Sequence, residues 1–221
     1  MGNTLTIFDL DNTLIQGDSS TIWSQFMVRE GLATQKGYLA REARLMADYD
    51  RGEMNIADYV ALIQAPLAGI PKSDVDALVA RCVREAILPR VYPQAWELIR
   101  RLRAEGEQML IISASVSLLV QAVAAALEID QALGIDVAMV DGGYSGVIAG
   151  IPSYQQGKVA RLAQWREAHP QYDGEVTFYT DSINDLPLCL HADRVRLVNP
   201  CPQLQAAGAG YGWPVLSWRL E

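Results

Sequence analysis

The sequence has little of what zinc, disulfide or nucleic-acid chemistry requires. Its 221 residues include only three cysteines and two histidines. No two cysteines stand at the spacing of a zinc-ligand pair, so a zinc site is not expected, and the odd, scattered cysteines indicate reduced thiols of a cytoplasmic protein. The formal net charge of −8 disfavours a nucleic-acid partner, because a surface that binds nucleic acid is normally basic.

Long apolar runs are absent as well. No stretch of about eighteen residues is free of charges and of glycine or proline breaks, so neither a membrane-spanning helix nor a membrane partner is predicted. The first residues lack the basic stretch and small-residue cleavage site of a signal peptide, so secretion is not expected. Half of the residues are hydrophobic, and a chain of this length can form one full core and a small inserted lobe.

The order of the apolar patterns divides the chain into three parts. Residues 4–8 are apolar and β-branched and predict a buried strand. Residues 18–88 carry apolar stripes at helical spacing, which predict a small helical bundle. From Tyr92 onward strands and helices alternate, which is typical of a parallel sheet with helices on both faces. We therefore predict an α/β fold in which a Rossmann-like core, residues 1–16 and 90–221, carries an inserted helical cap, residues 17–89.

Capping residues and breakers place the individual elements. Asp18 can cap the first helix, a second helix is predicted over 34–49, a third near Asn55 and a fourth after Pro71. Ser153 and Gln156 form a potential capping box for a helix over 154–168. The other predicted elements are helices 93–104, 116–127 and 185–191, strands 109–112, 176–179 and 195–198, and a hairpin of 137–140 with 146–148.

Two carboxylates, Asp9 and Asp11, follow the first strand. In open parallel sheets ligands bind beyond the carboxyl ends of the strands. Carboxylates packed this closely repel each other unless a cation lies between them, and hard oxygen ligands suit magnesium. For this motif taken alone, an ordinary acidic turn is the alternative.

Ser113 and Lys158 are the next candidates for phosphate chemistry. Ser113 follows a buried strand and precedes a helix, so its hydroxyl and the free amides of that helix can hold phosphate oxygens. Lys158, the last lysine of the chain, stands in the first turns of a predicted helix, and a compact ammonium group suits a phosphate oxygen. The alternatives are simple helix capping for the serine and a surface position for the lysine.

Asp181 and Asp185 lie four residues apart just after another apolar strand. Asp185 could merely cap the short helix that follows. A second strand end with carboxylates, in a chain where Asp9 and Asp11 already follow the first strand, favours one acidic site at the edge of the sheet.

Taken together and in this order, the four motifs resemble the haloacid dehalogenase (HAD) superfamily of phosphohydrolases. The resemblance covers essentially the whole chain and rests on the patterns D-x-D-x-T, Ser, Lys and D-x-x-x-D. The matching residues are Asp9, Asp11, Thr13, Ser113, Lys158, Asp181 and Asp185. The helical insertion resembles the cap of subfamily IB, the phosphoserine-phosphatase-like branch. That branch usually has glycines around the first aspartate of the last motif, where this chain has Thr180 and Ser182.

The resemblance implies a magnesium-dependent phosphatase acting on a small-molecule phosphomonoester. Asp9 would attack the phosphorus and form an aspartyl phosphate, and Asp11 would protonate the leaving alcohol and then activate water. Magnesium would be held by Asp9, by the Asp11 carbonyl and by Asp181, with support from Asp185. The phosphate-binding residues would be Ser113, Lys158 and Asn184.

The cap gives the only indication of the substrate. In phosphoserine phosphatases of this branch a carboxylate and an arginine hold the amino-acid group, and Asp18 stands where the carboxylate is expected. The matching cap helix, residues 55–63, has no arginine. An amino-alcohol phosphate such as histidinol phosphate fits that pattern, although helix capping explains Asp18 equally well. Arginines on another helix could replace the missing one, namely Arg41, Arg44 or Arg51.

Four alternatives stay open at this stage. They are phosphoserine hydrolysis, phosphoryl transfer as in mutases, dehalogenation and non-catalytic phosphate binding. Dehalogenation needs neither a metal nor Asp11, and a binding module predicts a missing nucleophile or lysine, whereas both are present. The sequence is compatible with a monomer or a homodimer.

Overall fold

The computed structural model describes residues 3–220; residues 1, 2 and 221 of the predicted core segments lie outside this range. Eight strands are described: β1 (Leu5–Phe8), β2 (Gln108–Val116), β3 (Gln131–Ile135), β4 (Val137–Val140), β5 (Gly143–Ile148), β6 (Val176–Thr180), β7 (Arg194–Val198) and β8 (Val215–Leu216). Six of them form one sheet in the order β3-β2-β1-β6-β7-β8, and β4 and β5 form a separate hairpin. All pairs within the six-stranded sheet are parallel.

Nine α-helices are described between and around these strands. They are α1 (Ser19–Arg29), α2 (Tyr38–Asp50), α3 (Ile56–Gln64), α4 (Lys72–Cys82), α5 (Pro93–Ala104), α6 (Ser117–Ala126), α7 (Gln156–Ala168), α8 (Leu186–His191) and α9 (Pro202–Ala209). The predicted α/β class, a Rossmann-like parallel sheet with an inserted group of helices, is confirmed. No helix of residues 3–220 is both long and apolar enough to cross a membrane.

Strand β1 lies at the centre of the sheet because its side chains are apolar on both faces. Leu5, Ile7 and Phe8 are fully buried, as expected for a parallel strand covered on both sides. Phe8 is in register with Ile111 of β2 and with Tyr179 of β6. Strands β1 and β6 therefore end side by side, whereas β2 continues to Val116. Ser113 lies within β2 and not after its end as predicted, and this part of β2 meets the residues that follow β1 and β6 at one edge.

The two faces of the sheet carry separate apolar clusters. Phe8 and Ile111 pack in one cluster with α5, α6 and the inserted helices α1 to α4. Ile7 packs in the other with Leu162 of α7 and Leu188 of α8. Alternate residues of each strand point to opposite faces, so the same strand supplies side chains to both clusters.

The β4–β5 hairpin packs against the inserted helices, which the sequence pattern did not predict. A Cβ atom on Gly146 of β5 would lie 3.4 Å from the Cα atom of Ala61 in α3, so the two backbones nearly touch. The hydroxyl of Tyr144 also donates to Asp76 of α4, at 2.9 Å. The hairpin belongs in sequence to the predicted core segment 90–221, yet it packs against the insertion. The boundaries between core and cap stay predictions.

Two local expectations were wrong. The predicted capping box does not form, because the Ser153 hydroxyl donates to the Ser113 carbonyl at 2.6 Å and α7 begins only at Gln156. Strand β3 was missed, because its sequence Gln-Ala-Leu-Gly-Ile is poor in β-branched residues. Its Gly134 is needed for close packing, since a Cβ atom there would lie 2.7 Å from the Cα atom of Ser117.

Candidate active site

The loop after β1 carries the first two carboxylates into the edge of the sheet. Asp9 continues the strand, because its N–H donates to the Tyr179 carbonyl at 2.9 Å. The chain then turns around Leu10, whose carbonyl accepts from the N–H groups of Thr13, Leu14 and Ile15 at 2.9–3.3 Å. Asp9 is only 3% exposed, so a carboxylate stands in an almost dry environment.

Lys158 is the partner of that carboxylate. It is fully buried, and its Nζ atom lies 2.7 Å from Asp9 Oδ1 and 2.6 Å from Asp185 Oδ1. Burial alone lowers the pKa of this lysine, but the charges of Asp185 and Asp9 outweigh it, so the net pKa is raised. The lysine is therefore a charged group of the site and not the surface residue that its helical pattern also allowed.

Asp11 is held by groups from two different segments, the start of α1 and strand β2. Its Oδ1 accepts from the Ser19 N–H at 2.6 Å, and its Oδ2 accepts from the hydroxyls of Ser115 at 2.9 Å and Ser113 at 3.4 Å. Burial raises the pKa of Asp11, and the hydrogen bonds from Ser19 and Ser115 oppose that rise. Ser113 contacts Asp11 as one of the residues singled out from the sequence, whereas Ser115, two residues further along β2, is a partner of Asp11 that the motifs did not single out.

The loop after β6 brings the last two carboxylates beside the first. The Thr180 hydroxyl donates to Asp185 Oδ2 at 2.7 Å, and the Thr13 hydroxyl donates to Asp181 Oδ1 at 3.3 Å. Burial raises the pKa of Asp181 well above its ordinary value, and the charges of Asp9 and Asp185 raise it further. All four predicted aspartates thus meet around Lys158.

The site has an excess of negative charge that fits a bound cation. Burial raises the pKa of Asp9 to about 7, with Lys158 opposing the rise and Asp185 and Asp11 adding to it. Among residues 3–220 the side chains alone form no group of three or more metal ligands. The carboxylates of Asp9 and Asp181 offer oxygen donors of the kind that Mg²⁺ prefers, and a main-chain carbonyl and water would have to complete its shell. The residues therefore fit this ion.

A small cavity lies between the carboxylates and the inserted helices. Its volume is about 10 Å³, roughly the space of one water molecule. The lining residues are Asp9, Asp11, Asp18, Ser20, Met46, Tyr49, Met54, Tyr59, Ala114 and Ser115. In this arrangement the cavity is too small for a molecule much larger than water.

Asp18 both caps a helix and lines the cavity. Its Oδ1 accepts from the Thr21 N–H at 2.8 Å, which is N-capping of α1. Burial raises its pKa well above the ordinary value, and the charges of Asp11 and Glu42 add to the rise. Glu42 of α2, which the sequence did not single out, is 3% exposed and accepts from the Thr21 hydroxyl at 2.5 Å. Two carboxylates therefore stand near the cavity on the side of the insertion.

The arginines that could have supplied a cation lie elsewhere. Arg41 donates to Gln35 on the surface, and Arg51 pairs with Asp48 and Glu53 on the surface. Arg44 is exposed as well. None of the three lines the cavity, so they do not replace the missing arginine of the cap in this structure.

Asn184, predicted to bind phosphate, has its amide group on protein partners here. Its Nδ2 donates to the Tyr49 carbonyl at 2.8 Å. Its Oδ1 lies 3.2 Å from Gln155 Nε2 and 3.4 Å from the Tyr154 hydroxyl. The side chain thus joins the last motif to the end of α2, a contact between segments 135 residues apart.

Comparison with known proteins gives consistent results over nearly the whole chain. Residues 6–189 match the family model described as haloacid dehalogenase-like hydrolase. The histidinol-phosphatase of Neisseria meningitidis serogroup C is 33% identical over 219 residues, which cover 97% of this chain and 99% of that protein.

Solved structures share the fold. A Bordetella pertussis protein of unknown function is 31% identical, has a TM-score of 0.88 and matches 98% of this chain and 99% of its own. A phosphoserine phosphatase, solved as a phospho-aspartyl intermediate analogue, is 18% identical with a TM-score of 0.66 and matches 93% of this chain and 91% of its own. At that identity the second likeness concerns the fold alone.

Proposed function

We propose, because this chain belongs to the haloacid dehalogenase-like hydrolase family, that it is a magnesium-dependent phosphatase that works through an aspartyl phosphate on Asp9. That the chain is a phosphatase follows from its family and its relatives. The observation that carries the proposal of an aspartyl phosphate on Asp9 is its buried ion pair with Lys158, whose atoms are 2.7 Å apart. Asp9 and Asp11 both line the small cavity described above.

Asp9 is the nucleophile in this proposal. Lys158 holds its Oδ1, which fixes the carboxylate and directs Oδ2 to the phosphorus. Attack forms the aspartyl phosphate and breaks the bond to the leaving oxygen, which is covalent catalysis in two steps. Lys158 and the Ser113 hydroxyl are placed to receive phosphate oxygens as the charge moves onto them.

Asp11 is the acid and then the base. Its raised pKa favours a protonated carboxyl group that can give its proton to the leaving oxygen. The resulting carboxylate then takes a proton from the water that hydrolyses the aspartyl phosphate. The hydrogen bonds from Ser19 and Ser115 keep the group oriented through both steps.

Asp9, Asp181 and the Asp11 carbonyl are the groups that would hold Mg²⁺. The ion, when bound, supplies positive charge that reduces the repulsion between a phosphate dianion and the Asp9 carboxylate. Asp185 has a different task in this proposal, because it pairs with Lys158 at 2.6 Å and so keeps the ammonium group in place.

The substrate proposed is an amino-alcohol phosphate such as histidinol phosphate. Asp18 and Glu42 bring carboxyl groups to and beside the cavity, where the ammonium group of a bound substrate would favour their ionised form, and no lining residue is cationic. A carboxylate on the substrate would be buried there without a partner, which is costly. The name of the Neisseria relative, histidinol-phosphatase, agrees with this choice, whereas phosphoserine carries the carboxylate that the cavity disfavours.

The substrate is tested by comparing matched esters on the purified protein with Mg²⁺. The expected kcat/KM for histidinol phosphate exceeds that for phosphoserine by about 100-fold or more, since leaving a buried charge unpaired discriminates strongly. Asp9→Asn should abolish turnover, and chelation of the metal should do the same reversibly. Preference for phosphoserine would refute the substrate, and near-native turnover of Asp9→Asn would refute the mechanism.

Asp18→Asn separates the two roles of that residue. Asparagine is as good an N-cap as aspartate, so the start of α1 should keep its stability while the charge is lost. We expect the preference for histidinol phosphate over phosphoserine to fall at least tenfold, with Tm changed by less than about 2 °C. An unchanged preference would mean that Asp18 only caps the helix.

A further inference from the structure

Gln155 has a backbone conformation that is rare for a residue with a side chain. Its φ is 49° and its ψ is −122°, a region that favours glycine because of the contact of Cβ with the backbone. It directly precedes α7, and its carbonyl accepts from the N–H of Lys158 at 3.0 Å. A strained residue of this kind persists only where its surroundings fix it.

The side chain of Gln155 connects the core to the inserted helices. Its Nε2 lies 3.1 Å from the Gly52 carbonyl, 3.1 Å from the Tyr154 hydroxyl and 3.2 Å from Asn184 Oδ1. An amide nitrogen has two hydrogens, so it serves two of these acceptors at a time. Gly52 belongs to the loop between α2 and α3. The hydrogen bond from Gln155 to its carbonyl therefore joins the insertion to the start of α7, the helix that carries Lys158.

The end of α2, just before this loop, contacts the residue next to the second partner of Lys158. Asn184 donates to the Tyr49 carbonyl at 2.8 Å, and the next residue is Asp185, the partner of Lys158. A Cβ atom on Gly52, whose φ is 73°, would lie only 3.3 Å from Asn184 Oδ1. The end of α2 and the start of the following loop, residues 49–52, thus contact Gln155, three residues before Lys158, and Asn184, the residue before Asp185.

We propose that Gln155 is a positioning residue that couples the seating of the inserted helices on the core to the placement of Lys158. The cavity of about 10 Å³ requires the insertion to move away before a substrate enters. That movement breaks the hydrogen bond between the Gln155 amide and the Gly52 carbonyl. The strained backbone of Gln155 then loses one of the contacts that hold it. The first turn of α7 then relaxes, and Lys158 is fully aligned only after the insertion has closed over the substrate.

The coupling rests on the phosphatase reaction proposed above and deepens it. The competing explanation is that the turn itself forces the strain. A Cβ atom on Gly157 would lie 1.9 Å from the Pro152 carbonyl oxygen, so this turn is tightly folded without any help from the insertion. In that case the Gln155 amide would have no effect on Lys158.

The test compares Gln155→Ala and Gln155→Gly with Gln156→Ala. Gln156 is the adjacent residue of the same type, but it is exposed. Glycine adopts positive φ freely, so Gln155→Gly removes the amide and the strain together. Kinetics with p-nitrophenyl phosphate and Mg²⁺ are combined with hydrogen exchange of the amides of residues 156–158, measured with Mg²⁺ and inorganic phosphate.

Coupling predicts a fall in kcat of about tenfold for both Gln155 variants, the scale of losing one to two neutral hydrogen bonds, with KM changed less than threefold. The amides of residues 156–158 should exchange about tenfold faster than in the wild type, while Gln156→Ala matches the wild type in both readouts. Gln155→Gly should be folded and at least as heat-stable as Gln155→Ala.

Wild-type kcat and exchange rates in Gln155→Ala would overturn the coupling, because this variant loses the amide but keeps the strain, and the strain would then belong to the turn alone. Absence of phosphatase activity in the wild type would instead overturn the proposed function. Because exchange with inorganic phosphate does not depend on turnover, the two failures are distinguishable.

Discussion

Replacing Lys158 by methionine tests the electrostatic structure of the site most directly. Methionine keeps much of the volume of the buried side chain but removes the ammonium group. Asp9 and Asp185, which lie 2.7 and 2.6 Å from that group in the wild type, then lose their ion-pair partner. Removing one partner of a buried ion pair typically costs about 3–5 kcal/mol. We expect a loss of unfolding free energy of about 3 kcal/mol at pH 7, measured by urea denaturation with the metal chelated.

The loss should also depend on pH. In the wild type, burial raises the pKa of Asp9 from 3.8 to about 7 although Lys158 opposes the rise. A raised folded-state pKa destabilises the protein as pH rises from the unfolded pKa to the folded one. In the wild type that penalty stops growing near pH 7. Without Lys158 the folded pKa of Asp9 is higher, so the deficit of the variant should grow above pH 7 by up to about 1.4 kcal/mol per pH unit.

Lys72→Met is the matched control for this experiment. Lys72 pairs with Asp76, and both side chains are about half exposed, so its loss should change the unfolding free energy by less than about 1 kcal/mol. A deficit for Lys158→Met below 1 kcal/mol, or one that shrinks above pH 7, would refute the account of a lysine that balances two buried carboxylates.

Three further predictions concern Asp11, the tight turn at Gly157 just before Lys158, and the cysteine thiols. Asp11→Asn should lower kcat by about 10²–10⁴-fold with the fold intact by circular dichroism, and a loss below tenfold would remove Asp11 from the mechanism. Gly157→Ala should lower Tm sharply and abolish activity, because its Cβ would lie 1.9 Å from the Pro152 carbonyl oxygen; an unchanged Tm would contradict this packing. Titration of the native protein with a thiol reagent should modify one cysteine, Cys201, because the other two are buried, and rapid reaction of all three would contradict that burial.

The four aspartates of the candidate site could be picked out from the sequence because each pair follows a recognisable strand. The strands before Asp9 and before Asp181 are both short and mostly apolar, so the alternation of strands and helices already predicts that the two acidic pairs lie at one edge of the sheet. Ser113 and Lys158 were predicted from the type of residue and its position at the start of a helix. Their identity needed no knowledge of the packing.

The sequence was misleading where a side chain had two possible partners. Ser153 stands three residues before a glutamine and predicts a capping box, yet its hydroxyl bonds to the Ser113 carbonyl. Capping signals are local, whereas this acceptor is 40 residues away and is placed there only by the sheet. Glu42 gave no signal at all, since one glutamate on an amphipathic helix is normally exposed.

By itself, the sequence determined the α/β class and the inserted helices, and it singled out the aspartates after two strands, one serine and one lysine, because these depend on short-range patterns of apolar and polar residues. The tertiary structure decided which groups meet across the chain: Lys158 with Asp9 over 149 residues and Asn184 with Tyr49 over 135. It also decided that Gln155 is strained. Such contacts depend on how the insertion seats on the core, and that seating is a property of the packed molecule as a whole.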